Sequence, residues 1–343
     1  MKNLILLTIL LLIIPFISFS QNADSAAYFL QKGNEAKDSR LFLVASQQYR
    51  KSIQLNADNP DAQRQLGLVS VEMRKYPEAI LAFAEVTKKK ADDPVAIENL
   101  ASLYFWTHKW NDAIAAAKKM KDLKTGKNAN YIIGKSYYEL EDYGQSYSFM
   151  QAAAKDDTSN ADIPYTIGRS FVEMSNYRNA APFFVRAIQL DTSKPRWVYE
   201  TALNYAAIPA DKDAIKYYLL AAQRGYKTDN DYYENLSISY EGAGQMDKCI
   251  ELLKKVLEKK PADIDLLNTI ADVHYKTGKY QEAIDYWDRI LSFDKQNAKA
   301  LYMIGLSYQK KGDKEKGIQL CDQAIKMDPS LSNLKQKRSM PGM

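Results

Sequence analysis

The hexapeptide KYPEAI at residues 75–80 returns as KYQEAI at 279–284, 204 residues later, and KWNDAI at 109–114 is a third version of it. The first and third copies are 34 residues apart, and the first and second are separated by six times that distance. A repeat of that length belongs to architectures that stack one short supersecondary unit many times, because such a unit cannot bury its own apolar face. Small residues that anchor the register fall at Gly33, Gly67, Ala101, Gly134, Gly168, Ala202, Ser237, Ala271 and Gly305, at spacings of 33 to 35 residues. Nine copies follow.

Twelve residues after each anchor stands a second small residue: Ala45, Ala79, Ala113, Ser146, Ala180, Ala214, Cys249, Ala283 and Gly317. Two helix backbones must approach each other closely there. Three residues past the anchor an aromatic recurs at Tyr104, Tyr137, Phe171, Tyr205, Tyr240 and Tyr308, with His274 in the eighth copy. Four residues past the second small residue comes a large apolar one: Tyr49, Phe83, Phe184, Tyr218, Leu253 and Trp287. Large and small columns at helical spacing predict two amphipathic helices per copy, a first helix A and a second helix B. KTGK (276–279), GAGQ (242–245) and KKGD (310–313) place a glycine between A and B, where it ends a helix and lets the chain reverse. Pro60, Pro94, Pro195, Pro261 and Pro329 fall near the start of a new first helix, where a missing N–H does no harm.

Composition narrows the function classes. Of 343 residues, 46% are hydrophobic and 26% charged, with a net charge of +5, which excludes a disordered chain and is too mild and too spread for a nucleic-acid footprint. No nucleic-acid partner is expected. Residues 1–20, MKNLILLTILLLIIPFISFS, carry Lys2, an apolar run and the small residues Ser18 and Ser20, the pattern of a signal peptide that leaves Gln21 as the mature start. The run is short for a bilayer and Pro15 interrupts it, so no stable membrane span is expected after cleavage. The expected location is exported, periplasmic or associated with the cell envelope. Cys249 and Cys321 are too few and too far apart for a disulfide framework and read as small core residues.

The columns resemble the tetratricopeptide repeat, a helix-turn-helix unit with Leu-Gly, Tyr, Ala, Phe and Ala at fixed positions. LASLYFWTHKWNDAIAAA (100–117) and IADVHYKTGKYQEAIDYW (270–287) match it closely. The resemblance implies an all-α chain: a right-handed α-solenoid of about nine tandem helix-turn-helix repeats over residues 21–328, with a polar capping segment and tail over 329–343. Leu331 and Leu334 open that segment as a further first helix, and Pro341 breaks it. Three departures stand out. Copy one has Lys32 before its anchor, copy six replaces the glycine turn with AAIPADKDA (206–214), and Pro182 inside the B helix of copy five predicts a kink or a late start.

In this family the inner surface is lined by first helices, and the resemblance places a defined set of residues on it. Copies three to six contribute Asn99, Phe105 and Trp106, then Tyr131, Lys135 and Tyr138, then Tyr165 and Arg169, then Arg196 and Tyr199. Rings at one per copy with basic residues beside them suit an extended peptide or partner protein carrying acidic or aromatic groups. The pairs Tyr131 with Lys135 and Tyr165 with Arg169 also fit plain neighbours one turn apart on their own helix. The C-terminal copies present Glu234, Asn235, Asp265, Asn268, Asp272 and Tyr275 at equivalent places, so the surface changes sign along the chain. A scaffold that binds protein in cell-envelope assembly is the first reading; a glycan-binding envelope solenoid is the second, since tyrosine and tryptophan faces also stack on sugars.

Catalysis by this chain alone is not expected. His108 and His274 have no nucleophile or carboxylate at triad spacing, and there is no glycine-rich phosphate loop, metal-ligand cluster or CxxC, so no cofactor and no metal are expected.

Overall fold

The computed structural model describes residues 24–332; the predicted signal peptide, and with it Leu334 and Pro341 of the tail, lie outside the described residues. These residues form eighteen α-helices and one short 3₁₀ turn, with no strand among them. Two compact units divide the chain, one ending at Ser175 and the other beginning at Asn176. The first holds α1 (24–38), α2 (Phe42–Leu55), α3 (Pro60–Glu72), α4 (Tyr76–Lys89), α5 (Pro94–Trp106), α6 (Trp110–Asp122), α7 (Ala129–Glu139), α8 (Tyr143–Asp156) and α9 (Asp162–Glu173). The second holds α10 (Tyr177–Leu190), α11 (Pro195–Ala206), α12 (Asp211–Gln223), α13 (Asn230–Gly242), α14 (Met246–Lys259), α15 (Ile264–Lys276), α16 (Tyr280–Phe293), α17 (Ala298–Lys311) and α18 (Lys314–Met327). Each unit is a run of helical hairpins, with consecutive helices packed on each other from α2 to α9 and from α10 to α18. The protein is an α-solenoid of tandem helix-turn-helix repeats.

Local chemistry starts and stops these helices where the period requires. Pro60, Pro94 and Pro195 occupy the first turn of α3, α5 and α11, whereas Pro261 stands in the linker before α15. The side chains of Asn59, Asp93, Asp229, Asp263 and Asn297 accept hydrogen bonds from free N–H groups at the starts of α3, α5, α13, α15 and α17. Each such cap is worth about 1 kcal/mol. Pro182 lies inside α10, which nevertheless begins at Tyr177 and continues to Leu190, so the helix does not start late.

All eighteen small positions are buried. The reason is visible in copies one and two, where the B-helix knob sits over the anchor glycine. A Cβ at Gly33 would overlap the Tyr49 ring, and one at Gly67 would stand 2.8 Å from the ring of Phe83. Tyr49, Phe83, Tyr218 and Trp287 are fully enclosed, and complete burial of a side chain such as Phe83 contributes roughly 1.5–3 kcal/mol. A second contact recurs between the aromatic column and helix B: Tyr137 stacks on Phe149 at 5.8 Å, Tyr205 on Tyr217 at 5.2 Å, and His274 on Tyr286 at 5.6 Å. Cys249 and Cys321 are buried free thiols, and burial pushes Cys249 up to about 11. Pro329–Leu331 form the 3₁₀ turn, whose Leu331 packs with Ala298, Tyr302, Cys321 and Ala324 at the end of the second unit.

Candidate functional site

The ring-bearing surface of the first unit is organised by α5. Asp93 caps its start through Oδ1 to the Ala96 N–H at 3.0 Å and is itself clamped by Arg64, whose guanidinium lies 2.5 Å from Asp93 Oδ2. Burial alone would raise the Asp93 carboxyl; the Arg64 guanidinium and the Ala96 N–H outweigh it and hold it below the usual carboxylate range. With its start fixed, α5 ends at Trp106 in a turn where His108 adopts φ 58°. Asn99 and Trp106, two turns apart, lie on one face of the helix.

Trp106 is 56% exposed, with the Tyr76 ring 6.3 Å away. Phe105 bridges Trp110 at 5.7 Å and Tyr131 at 6.1 Å, and His108 meets Trp110 edge-on at 4.8 Å. Asn99 donates to the Val95 carbonyl at 2.8 Å and lines an open cleft of about 610 Å³ together with Lys37, Arg40, Phe42, Leu68, Val71 and Glu72. Lys37, Val71 and Glu72 lie outside the residues expected from copies three to six, yet they stand in the same columns as Phe105 and Trp106, one and two copies earlier, so the repeat spacing that marks those rings also marks this cleft.

The basic residues of the surface are already engaged. Lys135 lies 3.2 Å from Asp162 and 3.0 Å from Thr166 Oγ1, both on α9, and Tyr131 donates to the same Asp162 at 2.9 Å. Burial, reinforced by the Asp162 charge, pushes the Tyr131 phenol up. Tyr131 and Lys135 thus converge on the next first helix instead of pairing only with each other. Tyr138 packs 5.7 Å from Tyr143 with the Lys135 ammonium 5.4 Å from its ring centre. Arg169 is bound to Glu173 at 3.0 Å, and Tyr165 is half-buried.

In the second unit Arg196 is bound to Glu200 at 2.9 Å. Tyr199 is buried: the Tyr226 ring stacks on it at 4.2 Å, Tyr218 meets it at 5.6 Å, and its hydroxyl accepts from Asn235 at 2.9 Å. Of the predicted residues, Asn99, Phe105, Trp106, Tyr131, Lys135 and Tyr138 come together around α5 and α7. Tyr199 is a packing residue.

Sequence profiles of the tetratricopeptide repeat match residues 165–230, 240–302 and 298–331. This chain is a tetratricopeptide-repeat protein. Among curated proteins it is similar to the BBSome complex member BBS4 of Bos taurus, at 36% identity over 70 residues; the match spans 20% of this chain and 14% of that one. Among solved structures it is similar to YrrB, described as a tetratricopeptide-repeat protein with an unusual peptide-binding site (19% identity, TM-score 0.44, 56% of this chain and 98% of that one). It is also similar to a tetratricopeptide repeat protein from Parabacteroides merdae (14% identity, TM-score 0.47, 68% of this chain and 93% of that one). At these identities none of the solved structures carries a partner or an activity over to this chain. Tetratricopeptide-repeat proteins are in general scaffolds for protein binding. Among the described residues no group of His, Cys, Asp or Glu is arranged to hold a metal ion, and no helix is long and apolar enough to cross a membrane.

Proposed function

We propose that this protein is a scaffold that holds an extended segment of a partner protein against the first unit, along the face of α5. The observation that supports this reading is Trp106, a large ring left mostly exposed on the helix that also lines the cleft through Asn99. Isolated exposed apolar residues are ordinary, but a tryptophan beside the Tyr76 ring, on the same helix face as the cleft-lining Asn99, belongs to a surface that gains by being covered. The segment it suits carries apolar or aromatic side chains for the rings and polar groups of both signs for the cleft, where Lys37 and Arg40 stand with Asp38 and Glu72. Lys135 and Arg169 shape the surface through the carboxylates of Asp162 and Glu173.

Trp106→Ala in the full chain should keep its helix content by circular dichroism and recover at least tenfold less of the partner that the unaltered protein retains, with the partner identified by mass spectrometry. Undiminished recovery, or recovery of polysaccharide in place of protein, rejects the reading. We also propose that residues 1–20 direct export and that the scaffold serves assembly in the cell envelope. N-terminal sequencing of the protein from its own cells then starts at Gln21, and a retained Met1 rejects export by cleavage.

A further inference from the structure

His274 occupies a column filled by tyrosine or phenylalanine in most other copies. It is 5% exposed on α15, its ring nearly parallel to Tyr286 of α16 at an interplanar angle of 17°. Neither Nδ1 nor Nε2 has a hydrogen-bond partner in the protein. Neutral imidazole has one donor and one acceptor, so here the ring serves as a plain aromatic with both polar atoms unused.

The charged groups around it do not compensate a proton. Lys254 and Asp247 face it from α14, Glu282 from α16, and Lys279 from the turn between α15 and α16. Asp247 is already bound to Lys279 at 2.8 Å. Thr277 Oγ1, the nearby hydroxyl, is committed to the backbone carbonyls of Val273 and His274. His274 lies toward the end of α15. Nearer the start of the same helix a cleft of about 320 Å³ opens between α13, α14 and α15, lined among others by Ile238, Glu241, Leu253, Lys260, Asp265 and Leu266.

We propose that α15 carries an acid-operated switch, in which protonation of His274 loosens α15 from α14 and α16 and widens the cleft between α13, α14 and α15. The charge enters a boundary that offers it no acceptor, while opening gives it water. Burial is the largest cause holding the His274 pKa below its ordinary 6.5; Lys254 and Lys279 add to it, and Glu282 and Asp247 oppose it. For a base whose folded pKa is lowered, the closed form has its full stability above 6.5 and loses it as pH falls from 6.5 toward the folded value. One proton shifts the opening equilibrium by up to about tenfold per pH unit in that window. Tyrosine or phenylalanine in the same column would confer no such response. The switch lies wholly in the second unit and does not rest on the reading of the first.

Hydrogen–deuterium exchange on the full chain at pH 7.5 and 5.5, corrected for the intrinsic pH dependence of exchange, tests it. Amides of α14, α15 and α16 should lose protection at pH 5.5 relative to α3 to α6, by up to about tenfold. His274→Tyr and His274→Phe, which restore the residue types of the other copies, should abolish that local loss. Proton NMR of the imidazole should place the His274 midpoint below 6.5. An equal acid response in both variants, no local response in the unaltered protein, or a midpoint at or above 6.5 overturns the proposal.

Discussion

The turns between A and B helices are built alike in the two units and from different residues. Seven places past each anchor, the first unit has Arg40, Arg74, His108, Glu141 and Ser175, all at φ between 56° and 62°. At the same offset the second unit has Gly244, Gly278 and Gly312 at φ 74°, 78° and 104°, with Pro209 in copy six. The hydrogen bonds are the same on both sides. Lys75 N–H donates to the Ser70 carbonyl and Asp142 to Tyr137 in the first unit, at 2.8 and 2.9 Å; Gln245 donates to Tyr240 and Lys279 to His274 in the second, at 2.8 and 2.9 Å. This is the helix-ending motif that usually takes glycine, because a Cβ in the left-handed region costs about 1–2 kcal/mol. The first unit folds through that turn without the residue that favours it. Helix pairing, locked by knobs such as Phe83 over Gly67, sets the turn; the turn residue only lowers or raises its cost.

Three measurements break or sharpen this comparison. The largest effect is expected from the knobs: Phe83→Ala in the first unit and Trp287→Ala in the second should each destabilise by about 3–5 kcal/mol in chemical denaturation. A loss well under 1 kcal/mol in either would mean that packing does not govern that unit. Next, Gly278→Ala should cost about 1–2 kcal/mol, since it places a Cβ at φ 78°. Smallest, and opposite in sign, Arg74→Gly and Glu141→Gly should each raise stability by up to about 1 kcal/mol, the relief of left-handed strain being partly offset by the greater freedom of glycine in the unfolded chain. Both side chains are exposed, so a destabilised Arg74→Gly variant would show that the side chain holds the turn by a contact of its own.

Much of the fold is legible in the residues. The small columns at Gly67 and Ala79, the knob at Phe83 and the stacking position at Tyr137 recur at a period that only paired helices satisfy, and the structure buries or stacks each of them. The candidate site is less legible. Tyr131 and Lys135 are four apart and read as one-turn neighbours, yet both reach Asp162 at the start of α9, in the next copy. Tyr199 stands in the same column as Tyr131, but Tyr226 from the following linker covers it. A column position states which way a side chain leaves its own helix and is silent about what a neighbouring linker lays over it.

The 34-residue period by itself determined that this chain is a stack of helical hairpins, because one hairpin cannot shelter its apolar side and the repeated small residues allow no other close approach. Which surface rings stay open was decided by tertiary structure alone. Exposure at Trp106 and burial at Tyr199 depend on contacts between segments distant in the chain, and a residue's polarity or column does not encode the partner that folding brings to it.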